Sequence, residues 1–554
     1  MDNNKKTSSD FLKQGSILAA ASLIVRFIGM IYRIPMSNIL GEEGNGIYAV
    51  AFDIYDIVLI VSSYSLPLAL SKIISMQNIK REYKNIGKTF KLAMIFGVVS
   101  GGLFGLLLFI LSGWIEENIY PDYAGVRIPL RILAPTIFIV AVLGVFRGFF
   151  QGKKTMIPTA VSQVLEQIVN AVVSIWAAYS FIKWNADSFE KSAWGAAGGT
   201  LGTCMGALFA LFLVAFVYIV YHPVQKKLES KDRRRRLYSA KHIYGILFLT
   251  ILPVILSQTV YQISGLIDYY IFGNVLGNKG YTTVAIKSLT GIYSSKYRLL
   301  TSVPIAISTS VASSMIPSAV AAYTQHDFKT LGDNIKSGIK FNMLIAFPCA
   351  IGYTVLGQAI VRLLFPSSDY VLGGHLMLAG STAVIFYAIS NVTGGALQSI
   401  DRMALPVIHS AISLVLHVGV VFVCLSYTDI GVYSLIIGNI TFPIVVSIFN
   451  LIAIKRNVRH INLELIKTLS KPFMASVIMA VIVWPCYTLL DMLLEKAVSG
   501  YIANAISLMF ALLIAVVTYF VAFFLLKGMT KEEVYNLPCG VRIYKIAKRF
   551  KLIE

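Results

Sequence analysis

The sequence predicts an all-α polytopic membrane protein, and three observations support this fold class. Of the 554 residues, 56% are hydrophobic and only 14% are charged, and the mean hydropathy is +0.73. A soluble chain of this length needs a larger charged surface than this composition provides. Apolar stretches of about 18–25 residues, each long enough to cross a ~30 Å hydrocarbon core, recur from end to end. Basic residues concentrate in the short segments between these stretches.

Fourteen apolar stretches are predicted to be transmembrane helices. Their approximate limits are 16–38, 47–71, 90–115, 128–150, 157–182, 194–221, 243–272, 285–320, 339–364, 373–398, 405–426, 431–454, 473–494 and 501–526. The first stretch is too long and too rich in arginine for a signal-peptide core, so we expect an uncleaved first span.

The distribution of charge predicts the orientation of the chain. Basic residues follow spans 2, 4, 6 and 12, whereas the short connections on the other side carry acidic residues such as Glu42 and Glu116. This asymmetry places both termini in the cytoplasm. The run Arg233–Arg236 is expected to be a cytoplasmic anchor, and the segment after Lys527 a basic amphipathic tail on the inner leaflet. The net charge of +21 therefore reflects topology, and no nucleic-acid partner is expected.

An internal repeat relates the two halves of the chain. Gly148-Phe-Phe-Gln151 after span 4 and Gly395-Ala-Leu-Gln398 after span 10 are each followed by a methionine and a proline. Two further landmarks recur, and the offsets are all 236–249 residues, or six spans. Copies with an even number of spans lie parallel, as in transporters that rock two lobes around a site.

The predicted domains are the N-lobe 1–221 (spans 1–6), a basic cytoplasmic linker 222–242, the C-lobe 243–455 (spans 7–12), spans 13 and 14 within 456–527, and a cytoplasmic basic tail 528–554.

Several charged residues lie inside predicted spans. Arg26 and Arg33 are seven residues apart in span 1, about two helical turns, and therefore share a face. A cation at the bilayer centre costs roughly 2.5–3.5 kcal/mol, so this face is expected to line protein or a watery cavity that suits an anionic cargo. Cations recur in the other half at Arg298. The candidate residues for ion coupling or ion pairing are Asp53, Asp56, Glu166 and Asp268. An ion pair of Arg33 with one of the aspartates of span 2 is the alternative to cargo binding.

The sequence gives little sign of an enzyme. The five cysteines are scattered without a CxxC pair, which argues against zinc, redox and disulfide sites. Metalloprotease, P-loop and nucleophile-elbow motifs are missing, and the outer loops are too short for the catalytic domain of a membrane glycosyltransferase. His409 and His417 fit packing better than a proton relay. We expect no catalytic residue, metal or cofactor, and coupling to the membrane potential, Na⁺ or H⁺.

The whole chain resembles a known family. The motifs that carry the resemblance are Leu40-Gly-Glu-Glu-Gly-Asn-Gly-Ile-Tyr48, Leu66-Pro-Leu-Ala-Leu-Ser-Lys72, Arg147-Gly-Phe-Phe-Gln-Gly152, Met156-Ile-Pro158, Ser162-Gln-Val-Leu-Glu-Gln167 and Met529-Thr-Lys-Glu-Glu. They resemble the SpoVB/YtgP branch of polysaccharide-biosynthesis membrane proteins. That branch belongs to the multidrug/oligosaccharidyl-lipid/polysaccharide exporter superfamily, which also contains MurJ-type lipid II flippases and MATE drug exporters. The resemblance implies two six-helix lobes and, in the MurJ type, two extra helices.

The resemblance also implies functional arginines in a central cavity. The span-1 pattern of MurJ-type proteins matches Arg26, Gly29 and Arg33, with one extra residue before the second arginine. Their span-8 arginine matches Arg298, and two other positions of the family pattern do not carry over. The extra residue rotates Arg33 by about 100°. Arg26 is therefore expected to contact phosphate, and Arg33 is the residue that could pair with an aspartate.

The implied function is a flippase in the bacterial plasma membrane. It would move an undecaprenyl-pyrophosphate-linked saccharide, in the first place lipid II, to the outer leaflet for cell-wall or spore-cortex synthesis. Its expected partners are the lipid-linked saccharide, membrane lipids and proteins of cell-wall synthesis. The alternative function is a MATE-like cation-coupled multidrug exporter, which would use the acidic residues of the spans as its cargo site. A scaffold for wall assembly without transport is a third interpretation.

Overall fold

The computed structural model describes residues 2–232, 237–458 and 463–529, and a few single positions as far as 549. The side chains of residues 2–16 and of Ala19 are outside this description. So are Arg233–Arg236 of the predicted linker and most of the predicted tail 528–554.

The described part of the chain is helical and contains no β-strand. Its α-helices are α1 (Asp2–Leu59), α2 (Leu66–Ile79), α3 (Tyr83–Asn118), α4 (Arg127–Gly152), α5 (Ile157–Trp184), α6 (Lys191–Lys231), α7 (Ala240–Asn278), α8 (Thr283–Ile292), α9 (Leu299–Thr324), α10 (Phe328–Leu364), α11 (Tyr370–Gly380), α12 (Ala383–Ser399), α13 (Ala404–Tyr427), α14 (Tyr433–Asn457), α15 (Leu465–Leu494) and α16 (Gly500–Leu525). Short π-helical segments, Ile60–Tyr64 and Tyr293–Arg298, join α1 to α2 and α8 to α9.

The helices confirm the predicted membrane fold. Within the described residues, 12 helices are long and apolar enough to cross a membrane, or up to 13 if the pair α11 and α12, bent by 45°, is one span. The first of these segments, Ala20–Ile79, is 60 residues long and covers the first two predicted spans. The predicted count of fourteen is therefore approximate, because some predicted spans run on as one helix.

The connection predicted between spans 1 and 2 is the clearest difference. Residues 39–46 are helical apart from Gly41, whose φ of 66° and ψ of −175° break the helix. A left-handed φ is accessible to glycine at little cost. Asn45 bridges the break, because its Nδ2 donates to the carbonyl of Ser37 at 2.8 Å and to that of Gly41. A helix break at the single residue Gly41 thus takes the place of the loop that the polar sequence predicted.

The chain folds into two compact units, Met1–Gly291 and Ile292–Glu554. The core of the first unit is formed by apolar residues of α2, α3, α4, α6 and α7. The second unit has one core between α9, α10, α12 and α14 and another between α10, α15 and α16. The predicted lobe limits stay a prediction.

The repeated glycines face neighbouring helices at different distances in their own units. A Cβ on Gly148 of α4 would lie 2.8 Å from the carbonyl oxygen of Pro67 on α2, and one on Gly395 of α12 would lie 3.5 Å from that of Ala312 on α9. Gly148 therefore allows two helix backbones to approach closely, as small residues do in membrane proteins, whereas a Cβ at Gly395 would make an ordinary van der Waals contact.

Glycines on α6 allow it to pack closely against α5. A Cβ on Gly198 would lie 2.5 Å from the carbonyl carbon of Ala177, and one on Gly202 would lie 2.6 Å from the carbonyl oxygen of Asn170. We predict that Gly202→Leu separates α5 from α6 and lowers stability by about 1–3 kcal/mol or more. Thermal unfolding of the purified protein in detergent measures the loss. Gly245→Leu is the matched control, because a Cβ at Gly245 meets nothing within 4 Å. Equal unfolding temperatures for the two variants would contradict the prediction.

Candidate functional site

The two arginines of α1 lie in different environments. Arg26 is exposed, whereas Arg33 is partly buried and has Tyr32, Tyr48 and Asp56 as electrostatic neighbours. The Nε atom of Arg33 is buried and makes no hydrogen bond within the described part of the chain. Because a guanidinium group is costly in lipid, a polar environment is expected around the exposed Arg26.

Polar residues of α5 face the same stretch of α1. Asn170 donates from Nδ2 to the hydroxyl of Tyr32 at 3.2 Å. A Cβ on Gly29, between the two arginines, would lie 3.8 Å from Oε1 of Gln167. This Oε1 is itself buried and accepts no hydrogen bond among the described residues. Tyr32, Asn170 and Gln167 thus form a polar cluster between α1 and α5 within the membrane-spanning part of the first unit.

Glu166 lies on α5 in an ion pair. Its Oε2 is 2.7 Å from NH2 of Arg147, and Nε of Arg147 donates to the hydroxyl of Ser162 at 3.0 Å. The side chains are 14% and 23% exposed for Arg147 and Glu166, so water screens this pair only in part. Sequence reasoning found Glu166 but gave Arg147 no role, because the two residues are on different helices, 19 positions apart.

The aspartates are divided between different neighbours. Asp56 lies near Arg33, whereas Asp53, three residues earlier on α1, lies near Tyr120 at the end of α3. Asp268 is buried on α7, two residues from Leu266, whose carbonyl accepts a hydrogen bond from Tyr120 at 3.1 Å. The structure therefore places Asp56 within electrostatic range of Arg33, and Asp53 within electrostatic range of Tyr120.

The electrostatic interaction of Arg33 with Asp56 can be tested by charge removal. We predict that Arg33→Gln destabilises the protein, because Asp56 then loses a cationic neighbour in a poorly solvated place. Asp56→Asn in the same chain should restore most of the unfolding temperature. If the double variant is no more stable than Arg33→Gln, Arg33 does not act by neutralising Asp56. Asp187→Asn, at an exposed position after α5, is the control for a carboxylate change.

A lysine missed by sequence reasoning joins α8 to α1. Lys287 is buried, and its Nζ is 2.8 Å from Oε1 of Glu43 and 3.3 Å from the carbonyl oxygen of Ala124. Glu43 also accepts a hydrogen bond from Ser192 of α6 at 2.8 Å. Lys287 falls within the predicted span 285–320, and its charge there was the signal that could have found it.

The second unit places its cations on a π-helical segment. Lys296 and Arg298 both lie in Tyr293–Arg298; Lys296 is fully buried and Arg298 is partly buried. Lys296 Nζ lies 5.8 Å from the ring centroid of Phe365, within range of a cation–π interaction. Such π-helical turns often occur at functional sites. Arg362, also predicted inside a span, lies 3.5 Å from Glu495 at the end of α15.

The two histidines of α13 serve packing. His409 shares a 2.7 Å hydrogen bond with Oδ1 of Asn450, which in turn donates to Thr393 at 3.2 Å. His417 is 2.7 Å from the carbonyl oxygen of Gly438 on α14. Both imidazoles are buried and satisfied between α13 and its neighbours.

These features define a class of protein: an all-helical, multi-pass membrane protein with charged side chains held inside its spans. The sequence matches the family described as "Polysaccharide biosynthesis protein" over residues 11–322, and the MatE family over residues 253–423. Since the first match covers more than half of the chain, the protein belongs to the polysaccharide biosynthesis protein family.

Individual relatives agree with this assignment. The lipid II flippase MurJ of Bacillus subtilis is 24% identical over 495 residues, which are 86% of this chain and 88% of that protein. Stage V sporulation protein B of the same organism is 23% identical over 443 residues, 79% of this chain and 82% of that protein. The predicted resemblance to the SpoVB/YtgP branch is confirmed.

A solved structure has the same fold. The structure described as "Lipid II flippase MurJ, inward closed conformation" superposes with a TM-score of 0.63 at 15% identity. The match covers 91% of this chain and 97% of that one. The match extends over nearly the whole of both chains, so the two chains share a fold.

Proposed function

We propose that the protein is a flippase for an undecaprenyl-pyrophosphate-linked saccharide, in the first place the peptidoglycan precursor lipid II. It moves the head group from the inner to the outer leaflet of the bacterial plasma membrane by alternating access, with both termini in the cytoplasm. The placement of Arg26 and Arg33 inside a membrane-spanning helix carries the proposal, because cations are costly in lipid and suit a site for an anionic cargo. The similarity to proteins named as a lipid II flippase and a sporulation protein supports it.

Arginine suits the proposed cargo. Its planar fork binds phosphate oxygens through two parallel hydrogen bonds, whereas lysine acts as a point charge. We assign Arg26 and Arg298 to contact with the pyrophosphate, and Arg33, which has Asp56 as an electrostatic neighbour, to support of the same cargo. Translocation of the cargo makes and breaks no covalent bond, so the protein acts without a catalytic residue.

The membrane potential is the proposed driving force. An inside-negative potential of ~100 mV pushes two negative charges outward with roughly 4–5 kcal/mol. Cationic side chains that move across the membrane together with the cargo reduce this electrostatic driving free energy. A Na⁺ or H⁺ gradient is the alternative source of energy, with Asp53, Asp56 and Asp268 as candidate ligands.

Complementation tests the proposal. In bacteria depleted of their own lipid II flippase, expression of this protein should restore the outward exposure of labelled lipid II, measured with a membrane-impermeant hydrolase. An empty vector and an unrelated multi-pass transporter are the controls. Failure to restore exposure by protein that is present in the membrane would contradict lipid II as the cargo.

A MATE-like exporter is the second candidate, because the MatE family matches residues 253–423. In that function the aspartates of α1 and α7 would bind a cationic drug, and the arginines would be dispensable. Resistance of expressing cells to cationic dyes, without rescue of lipid II exposure, would favour this candidate. Rescue without dye resistance favours the flippase.

A further inference from the structure

A basic pocket lies where α10 and α15 begin and α16 ends. It has a volume of about 530 Å³ and is lined by Lys336, Lys340, Lys467, Lys471, Asp333 and Glu464. Four lysines face two carboxylates, so the pocket keeps an excess of positive charge at neutral pH. Its helix ends belong to the side of the bundle that we propose is cytoplasmic.

Part of this charge is fixed in position by the protein. Glu464 accepts a 2.7 Å hydrogen bond from Lys336 and lies 3.7 Å from Lys467. The bond from Lys336 lowers the pKa of Glu464, so this carboxylate stays ionised. Lys471 donates to the carbonyl oxygen of Lys527 at 2.7 Å, which ties α15 to the end of α16. Lys336 and Lys471 are therefore held beside the pocket by hydrogen bonds to the protein.

The same three helices enclose an apolar groove directly beyond the pocket. The groove has a volume of about 380 Å³ and includes Leu344 of α10, Met479 of α15 and Phe520 of α16. Leu344 is about one turn beyond Lys340, and Met479 about two turns beyond Lys471. Gly352 on the groove wall leaves open space, since a Cβ there meets nothing within 4 Å. The apolar groove thus lies one to two helical turns from the cationic pocket along the same helices.

We propose that this pocket and groove bind one phospholipid with an anionic head group, taken from the adjacent leaflet. The lysines contact the phosphate, and one acyl chain lies in the groove. Basic pockets between transmembrane helices bind anionic lipid heads in this way. A soluble anion would use the pocket but gain nothing from the groove, and a neutral lipid would use the groove but not the lysines. This site is independent of the cargo proposed above.

Lipid retention by the purified full-length protein tests the head-group contact. After incubation in detergent with equal amounts of phosphatidylglycerol and phosphatidylcholine, the retained lipid is measured by mass spectrometry. The wild-type protein should prefer phosphatidylglycerol, and Lys467→Gln/Lys471→Gln should reduce this preference by about 30-fold. Lys467→Arg/Lys471→Arg should keep it. Lys226→Gln/Lys227→Gln is the matched control, because these exposed lysines of α6 are outside the pocket.

A second pair of variants tests the groove. Gly352→Leu fills it without strain and should lower retention of phosphatidylglycerol, whereas Gly419→Leu on α13, also in open space, should not. Equal retention by both variants, an unchanged preference in the lysine-to-glutamine variant, or displacement of the lipid by millimolar inorganic phosphate would overturn the proposal. Retention of a polyprenyl pyrophosphate in place of phosphatidylglycerol would also overturn it. None of these outcomes depends on transport activity.

Discussion

Alanine at Arg26 or at Arg298 is expected to lower the outward exposure of lipid II roughly 10- to 100-fold. Hydrogen bonds to charged groups contribute about 1.5–3 kcal/mol each, and a bound pyrophosphate loses one or two of them with each arginine. Lysine at either position should give an intermediate rate, since it keeps the charge but loses the planar fork. The measurement is outward exposure of labelled lipid II in depleted cells, normalised to the amount of protein in the membrane.

Arg131→Ala is the matched control for this prediction. Arg131 also lies on a membrane-spanning helix of the first unit, but it donates to Ser112 at 3.1 Å and lies over the ring of Phe109. Its loss should leave transport nearly unchanged. If Arg26→Ala and Arg298→Ala transport as well as Arg131→Ala, neither arginine holds the cargo. If the arginine variants lose transport only with their unfolding temperature, the role of the residues is structural.

The membrane fold could be predicted because the hydrocarbon core of a bilayer constrains the composition of every segment that crosses it. Each span must satisfy its backbone internally and present apolar side chains for about 20 residues, so a hydropathy pattern reports it directly. The break at Gly41 follows a different rule. The glycines and acidic residues around it are typical of a loop, yet one left-handed residue and the bridge from Asn45 redirect the helix. The glycines can be seen in the sequence, but the sequence does not show which of them adopts the left-handed conformation that breaks the helix.

The candidate site was predicted only where its partners are near in sequence or unusual in a membrane. Arg26, Arg33 and Asp56 could be named as candidates because a charged side chain inside a membrane span is costly unless it has a polar environment. The partner of Glu166 could not, since Arg147 lies on α4 and their meeting depends on how α4 packs beside α5. The same holds for Lys287 and Glu43, whose contact depends on a close crossing of α8 and α1.

The crossing of α8 and α1 predicts a large loss of stability when Lys287 is replaced. A Cβ on Gly46 would meet the carbonyl of Lys287, and a Cβ on Gly291 would meet that of Glu42, so the two helix backbones touch on both sides of the ion pair. Lys287 is 6% exposed and Glu43 28% exposed. Removal of one partner from a buried pair leaves a charge without compensation, which costs about 3–5 kcal/mol. Lys287→Met should therefore destabilise the protein by about 3 kcal/mol, at the lower end of that range because water reaches Glu43.

Thermal unfolding in detergent, carried out as a double-mutant cycle, measures the contribution of the pair. Glu43→Gln/Lys287→Met should be more stable than the sum of its two single changes predicts, because it removes both charges together. Lys183→Met, at an exposed position near the end of α5, is the control and should leave the unfolding temperature unchanged. Strict additivity would mean that the 2.8 Å contact contributes little, and that the glycine crossing alone holds α8 against α1. In that case Gly46→Leu should remain strongly destabilising while Lys287→Met is tolerated, so the cycle separates charge pairing from backbone packing at this crossing.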